Sequence, residues 1–324
     1  MSNITFFMKS ILHQHKDRFQ TVFSAEKRLT LIHMKKQIKL IAVLCTGLAA
    51  LSSRTIPAEA ELVKKAWGQG SSNTYILGLN NAVGSAVNIY TLKDTESGII
   101  HHTGNFNGIN YDMLEVKPSE TTFIKLDYMG YAEWLNDLYD WGLVSEGYIR
   151  AGGINANYYA WHTNPNYGQP VGGARMAGEW TTFRGEPNLP DYGSGYATAY
   201  WDRTGLMKLV YSGENVVQGT TEWIGEKVES ECAVSGSYTY IVDGERKDLT
   251  DGYGWYEYHY NDYAFSCLAQ KKDGTYFLIS FWNGMRDEKV QDFLLGLDVY
   301  NAIRLDGGTS TSMCYEEDLV EEAE

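Results

Sequence analysis

Asn301-Ala-Ile-Arg-Leu-Asp-Gly-Gly-Thr-Ser-Thr-Ser-Met313 is an apolar, strand-like run that delivers one carboxylate, Asp306, onto two glycines and four hydroxyl residues. Glycines after such a strand allow positive φ and close backbone approach. Successive amides of Gly307, Gly308, Thr309 and Ser310 can form a concave nest for an anion, with the hydroxyls as further donors. An Asp-Gly hairpin turn fits the same letters. The choice between turn and site depends on the rest of the chain.

Just upstream, Asp287 to Leu297 places Val290, Phe293, Leu294 and Leu297 on one helical face and leads into a strand from Asp298. Before it lies a run of short strands with turn punctuation: 196–201, 206–211, 238–242 ended by Asp243-Gly244, 265–270 ended by Asp273-Gly274, and 276–281. A further buried strand is predicted from Ile149, ending in Asn155-Ala156-Asn157-Tyr158-Tyr159, with more aromatics (Trp161, Tyr167) in the loop beyond. Tyrosine rings on a polar loop suit stacking on sugars, and equally suit ordinary packing. Apolar residues from Phe123 through Trp141 recur at helical spacing despite Gly130 and predict a helix over 118–141. Ala86–Leu92 reads as a strand, and Gly- and Asn-rich 99–112 as turns and surface loop. The expected fold class is α+β: one domain, with a mixed sheet and β meander covered by a few helices. Residues 61–117 form its lead-in, 118–315 its core and 316–324 a solvated acidic tail.

The N-terminal part reads as an address. Met34-Lys35-Lys36, an apolar stretch over 40–51 and Ala58-Glu59-Ala60 have the form of a signal peptide over 34–60, with 1–33 an upstream extension. A secreted or extracytoplasmic protein without stable membrane insertion is expected. Residues 1–60 hold 9 of the 27 Lys+Arg and 3 of the 41 Asp+Glu, so the remainder carries 18 − 38 = −20. That charge argues against nucleic acid or an anionic membrane as partner. Cys232, Cys267 and Cys314 remain, and an oxidising compartment predicts one disulfide and one unpaired thiol.

Taken in order, the helix, the Asn155 strand with its tyrosines, the meander and Asp298-Val-Tyr-Asn-Ala-Ile-Arg-Leu-Asp-Gly-Gly308 resemble the phosphodiester glycosidase family, over roughly 120–315. The resemblance implies hydrolysis of a sugar-1-phosphodiester in a glycan or cell-envelope polymer. It implies Asp306 as base, nucleophile or metal ligand, Asn155 as a donor to substrate, and Gly307, Gly308, Thr309 and Ser310 as a phosphate cradle. Tyr158 and Tyr159 would serve the sugar. It specifies no certain cofactor, and a hard cation such as Ca²⁺ or Mg²⁺ on Asp306 is compatible. Glu179 and Asp202 are candidates by residue type for a second carboxyl. Several positions depart from the family: its arginine falls on Phe265, its Gly-Asn on Gly172-Gly173, its asparagine before Leu-Asp-Gly-Gly on Arg304, and its third glycine on Thr309. Arg304 could restore a cation near the site or could equally face away from it. The alternative is a carbohydrate-binding or cell-surface module on the same fold with impaired catalysis.

Overall fold

The computed structural model describes residues 65–69, 72–78, 82–159, 168, 170, 172–180, 197–202, 206–210, 229–237, 239–249, 263–316 and 319–322, all within the compact unit Glu61–Glu324. The address segment over 1–60, and Trp161 and Tyr167, lie outside these residues.

The architecture is mostly β, which corrects the expected α+β class. Three sheets account for it. The six-stranded sheet runs β1 (Lys65–Gln69), β2 (Ser72–Gly78), β18 (Ser312–Glu316), β7 (Tyr148–Asn155), β3 (Ala86–Leu92), β6 (Thr122–Asp127). The five-stranded sheet runs β11 (Lys208–Val210), β10 (Ala197–Trp201), β12 (Cys232–Gly236), β8 (Ala174–Met176), β9 (Glu179–Trp180). The eight-stranded sheet runs β14 (Glu245–Arg246), β13 (Thr239–Val242), β17 (Val299–Gly307), β15 (Phe265–Lys271), β16 (Tyr276–Phe281), β5 (Ile109–Val116), β4 (Ile99–Phe106), β19 (Val320–Glu322). The pairings are antiparallel except for β19 beside β4. Part of the tail expected to be solvated therefore covers a sheet edge. The α-helices among the described residues are α1 (Trp141–Ser145) and α2 (Asp287–Gly296).

The helix predicted over 118–141 is absent. Thr122–Asp127 instead pairs with β3, from Ala86↔Asp127 to Thr91↔Thr122. Phe123, Ile124 and Leu126 are all buried because both faces of β6 are covered. Trp201 of the five-stranded sheet donates its indole N–H to Ile124 O at 3.1 Å. On the other side, Phe123 packs with Tyr90 and with Leu143 of α1. A strand buried on both sides mimics helical spacing over a short window. The following segment is held by buried polar groups: Asn88 Nδ2 donates to Asp127 Oδ2 (2.7 Å) and to Leu138 O (2.9 Å), and Asp140 caps α1 through the amides of Gly142 and Leu143. The loop predicted over 99–112 is a hairpin, turned at Asn107-Gly108 with φ of +54° and +88°. That is the Asn-Gly signature of a tight two-residue turn.

The strand and helix predictions around the opening motif hold. Residues Asp287–Gly296 form α2, whose Val290, Phe293 and Leu294 are buried with Met113, Tyr240, Phe277 and Phe281. Cys232, Cys267 and Cys314 are all buried free thiols, which overturns the expected disulfide. They sit on β12, β15 and β18, one in each sheet.

One feature of this topology positions the site. The chain leaves the eight-stranded sheet at the end of β17 and enters the six-stranded sheet as β18 after a 3-10 turn, Gly308–Ser310. Asp306 to Ser310 is thus a crossover between two sheets. The five-stranded sheet closes on it: a Cβ on Gly236 would lie 1.7 Å from Arg304 O, and Ser237 N donates to that oxygen at 3.1 Å. Backbone against backbone leaves nothing that can yield. Gly236→Ala is expected to destabilise the protein by roughly 2–4 kcal/mol, read by urea denaturation; an unchanged midpoint would show that the sheets do not meet there.

Candidate active site

Asp306 is placed by its backbone before its side chain matters. Its amide donates to Ala156 O at 2.9 Å, and its carbonyl accepts Asn155 Nδ2 at 3.0 Å. Asn155 Oδ1 in turn accepts from Ser266 Oγ (2.5 Å) and Ser312 N (3.0 Å). One side chain, with no exposed surface, therefore fastens β7, β15, β17 and β18 together. Asn155, expected to donate to a ligand, is in this arrangement the residue that positions Asp306.

Asp306 is 7% exposed. Its Oδ1 accepts Gly307 N at 2.7 Å, and the Ser310 side chain also bonds it. Burial nevertheless pushes its pKa up to about 7, against these hydrogen bonds and the nearby charge of Arg304, all of which pull it down. A carboxyl in that range exchanges a proton near neutrality. The expected anion cradle is partly spent on the protein itself, because Gly308 N donates to Ala264 O at 2.7 Å. The glycines answer to packing and turn geometry. A Cβ on Gly307 would meet Ala264 O at 2.7 Å, and Gly308 has φ of +64°. Thr309 is exposed and Ser310 buried.

Arg304 faces this carboxyl's surroundings. Its Nη1 lies 3.0 Å from Asp287 Oδ1 and 3.5 Å from Tyr240 Oη, and its guanidinium rests 4.3 Å from the Phe265 ring centroid. The position where the resemblance leads one to expect an arginine thus holds a ring on which an arginine from the neighbouring strand lies. Tyr158, half-buried, bonds the Arg304 side chain and donates to Ser237 Oγ at 3.4 Å. Burial raises its phenol and the nearby Asp306 carboxylate adds to this, while Arg304 opposes. Tyr159 turns elsewhere, donating to Ala82 O at 3.1 Å and packing over Gly84. Gly173 O accepts Asn157 Nδ2 at 3.0 Å, so the Gly172-Gly173 segment supports the Asn155 strand end. Glu179 is exposed on β9, and Asp202 is exposed and accepts Glu231 N at 2.8 Å.

The site thus unites Asp306, Ser310, Arg304 and Tyr158 from the predicted set, with Asn155 behind them. Ser237, Tyr240, Ser266 and Asp287 were not anticipated. Asp287 reads in sequence as an ordinary acidic residue in a helix's first turn, and the others belong to distant strands. A cation on Asp306 finds little support in these residues. Arg304 lies beside it, and among the described residues no group of three His, Cys, Asp or Glu side chains is arranged to share a metal.

A buried carboxyl that exchanges protons near neutrality, beside a phenol and a guanidinium at a sheet crossover, is a group that a hydrolase can use for general acid–base chemistry. The sequence specifies which kind: residues 154–323, more than half of the chain, match the family model described as phosphodiester glycosidase, and the chain belongs to that family of glycosidase-type hydrolases. No curated protein sequence matches it. Among solved structures, it is similar to a hypothetical protein from Synechocystis, at 12% identity and a TM-score of 0.42, over 80% of this chain and 77% of that one. It is also similar to the zebrafish N-acetylglucosamine-1-phosphodiester alpha-N-acetylglucosaminidase catalytic domain auto-inhibited by pro-peptide, at 15% identity and a TM-score of 0.39, over 70% and 78%. Among the described residues no helix is long and apolar enough to cross a membrane.

Since the folded-state pKa of Asp306 lies above the ordinary 3.8, its contribution favours the folded state at low pH and is lost as pH rises through about 7. Asp306→Asn is therefore expected to be more stable than wild type at pH 8, by up to about 4 kcal/mol, and little different at pH 4. Urea titrations at the two pH values check this, and an equal change at both would contradict it.

Proposed function

We propose that the protein hydrolyses the bond between the anomeric carbon of a sugar and a phosphate oxygen in a sugar-1-phosphodiester of a glycan or cell-envelope polymer, outside the cytoplasm. The observation that carries this reading is Asp306, a buried carboxyl at the family's Leu-Asp-Gly-Gly motif with its pKa pushed up to about 7. In the ionised state it takes a proton from water as the water oxygen bonds to the anomeric carbon. The bond to phosphate breaks with its electron pair going to the phosphate oxygen, and a free sugar and a phosphomonoester result. A phosphate oxygen leaves readily without a proton, so one carboxyl meets the need that commonly takes two in glycoside hydrolysis. Tyr158 offers a ring and a hydroxyl at the edge of the site, its orientation set by Arg304 and Ser237. Exposed Thr309 offers a hydroxyl beside the turn. The signal-like segment over 34–60 supports an extracytoplasmic place of action.

The test incubates the protein with methyl 1-phosphodiesters of N-acetylglucosamine, glucose and mannose and measures free sugar. Wild type is expected to release sugar, with kcat/KM rising through an acid limb centred near pH 7. Asp306→Asn is expected to lower kcat/KM by about 10²–10⁴-fold with circular dichroism unchanged. Release that survives in Asp306→Asn would remove Asp306 from the chemistry.

A further inference from the structure

The charge of Arg304 is engaged inside the protein before any ligand arrives. Its ion pair with Asp287 joins side chains 4% and 1% exposed. Asp287 occupies the first turn of α2, where the helix dipole favours a carboxylate, and Tyr240 Oη donates to the same Oδ1 at 2.5 Å. Stacking on Phe265 fixes the guanidinium from a further side. Among the described residues, groups facing Arg304 include Asp287 of α2, Tyr240 of β13, Phe265 and Cys267 of β15, and Tyr158 beyond the end of β7, with Asp306 two residues along its own strand. Asp287 is the carboxylate that pairs with it, Oδ1 to Nη1 at 3.0 Å, and so offsets the cation. A guanidinium paired in this way offers less attraction to a highly charged anion than an unpaired one.

This matters because a phosphodiester and a phosphomonoester on the same sugar differ in charge. A phosphodiester carries a single negative charge, whereas a phosphomonoester carries about −1.5 to −2 at neutral pH. We propose that Asp287 is a specificity-determining residue, which by neutralising Arg304 makes the site accept the singly charged sugar-1-phosphodiester and disfavour the sugar-1-phosphomonoester. The inference rests on the phosphodiester glycosidase reading of the Asp306 site. It gives the buried pair a purpose that packing alone would not need, since two apolar side chains fill such a space without desolvating charges. Discrimination by withholding attraction from the wrong ligand is a general route to specificity.

The experiment uses the full chain carrying Asp306→Asn, so that no turnover disturbs binding, and compares N-acetylglucosamine 1-phosphate with its methyl phosphodiester by calorimetric titration at pH 7.5. The parent is expected to bind the diester more tightly. Adding Asp287→Asn frees the Arg304 charge and should tighten the monoester at least about tenfold more than the diester. Asp287→Ser serves the same purpose if the asparagine variant does not fold. Equal tightening of both ligands, or no change in either, overturns the role given to Asp287 and leaves the enzyme reading standing. A failure of every variant to bind either ligand overturns the phosphodiester reading itself.

Discussion

The side-chain amide of Asn155 is the contact on which the site depends. A buried amide must satisfy both its carbonyl and its N–H groups or lose the free energy of their hydration. Here the partners come from three other strands: Ser266 on β15, Asp306 on β17 and Ser312 on β18. The crossover from one sheet to the next is thereby tied at its root, and Asp306 projects from a backbone that cannot drift. Complementary space comes from Gly236 and Gly307, where the strands approach too closely for any Cβ.

A fixed backbone allows an unfavourable side chain to persist. Ionised Asp306 is costly in its buried position, and the hydrogen bonds from Gly307 and Ser310 offset only part of that cost. Nearby, Arg304 and Asp287 are also buried, but as a pair whose charges compensate. The two arrangements are complementary in purpose: one keeps a carboxyl able to gain and lose a proton, and the other limits the positive field that would otherwise hold it ionised. Phe265 pairs with Gly307 and Cys267 with Arg304, so side chains from either strand reach the same region.

Much of the scaffold was legible because short apolar runs with Asp-Gly punctuation leave few alternatives, as for β13, β15, β16 and the α2–β17 unit. The errors have physical origins. Over 122–127, burial on both faces removed the alternation that identifies a strand, and the result passed for a helix. Over 99–112, the Gly and Asn content on the exposed side of a hairpin obscured the strands that flank the Asn107-Gly108 turn. The predicted disulfide followed from counting thiols, and their distribution over three sheets was invisible without the topology.

By itself the sequence determined the family, the Leu-Asp-Gly-Gly turn with Asp306 as its one carboxylate, and the candidacy of Arg304 and Tyr158, because these depend on local order along the chain. Only the tertiary structure decided that Asn155 works as a clamp, that Gly307 and Gly308 turn their amides inward, and that Arg304 answers to Asp287 while lying on Phe265. The reason is distance along the chain. Asn155 meets Asp306 across 151 residues, and whether a donor at either end is spent or available is settled only when the sheets close around it.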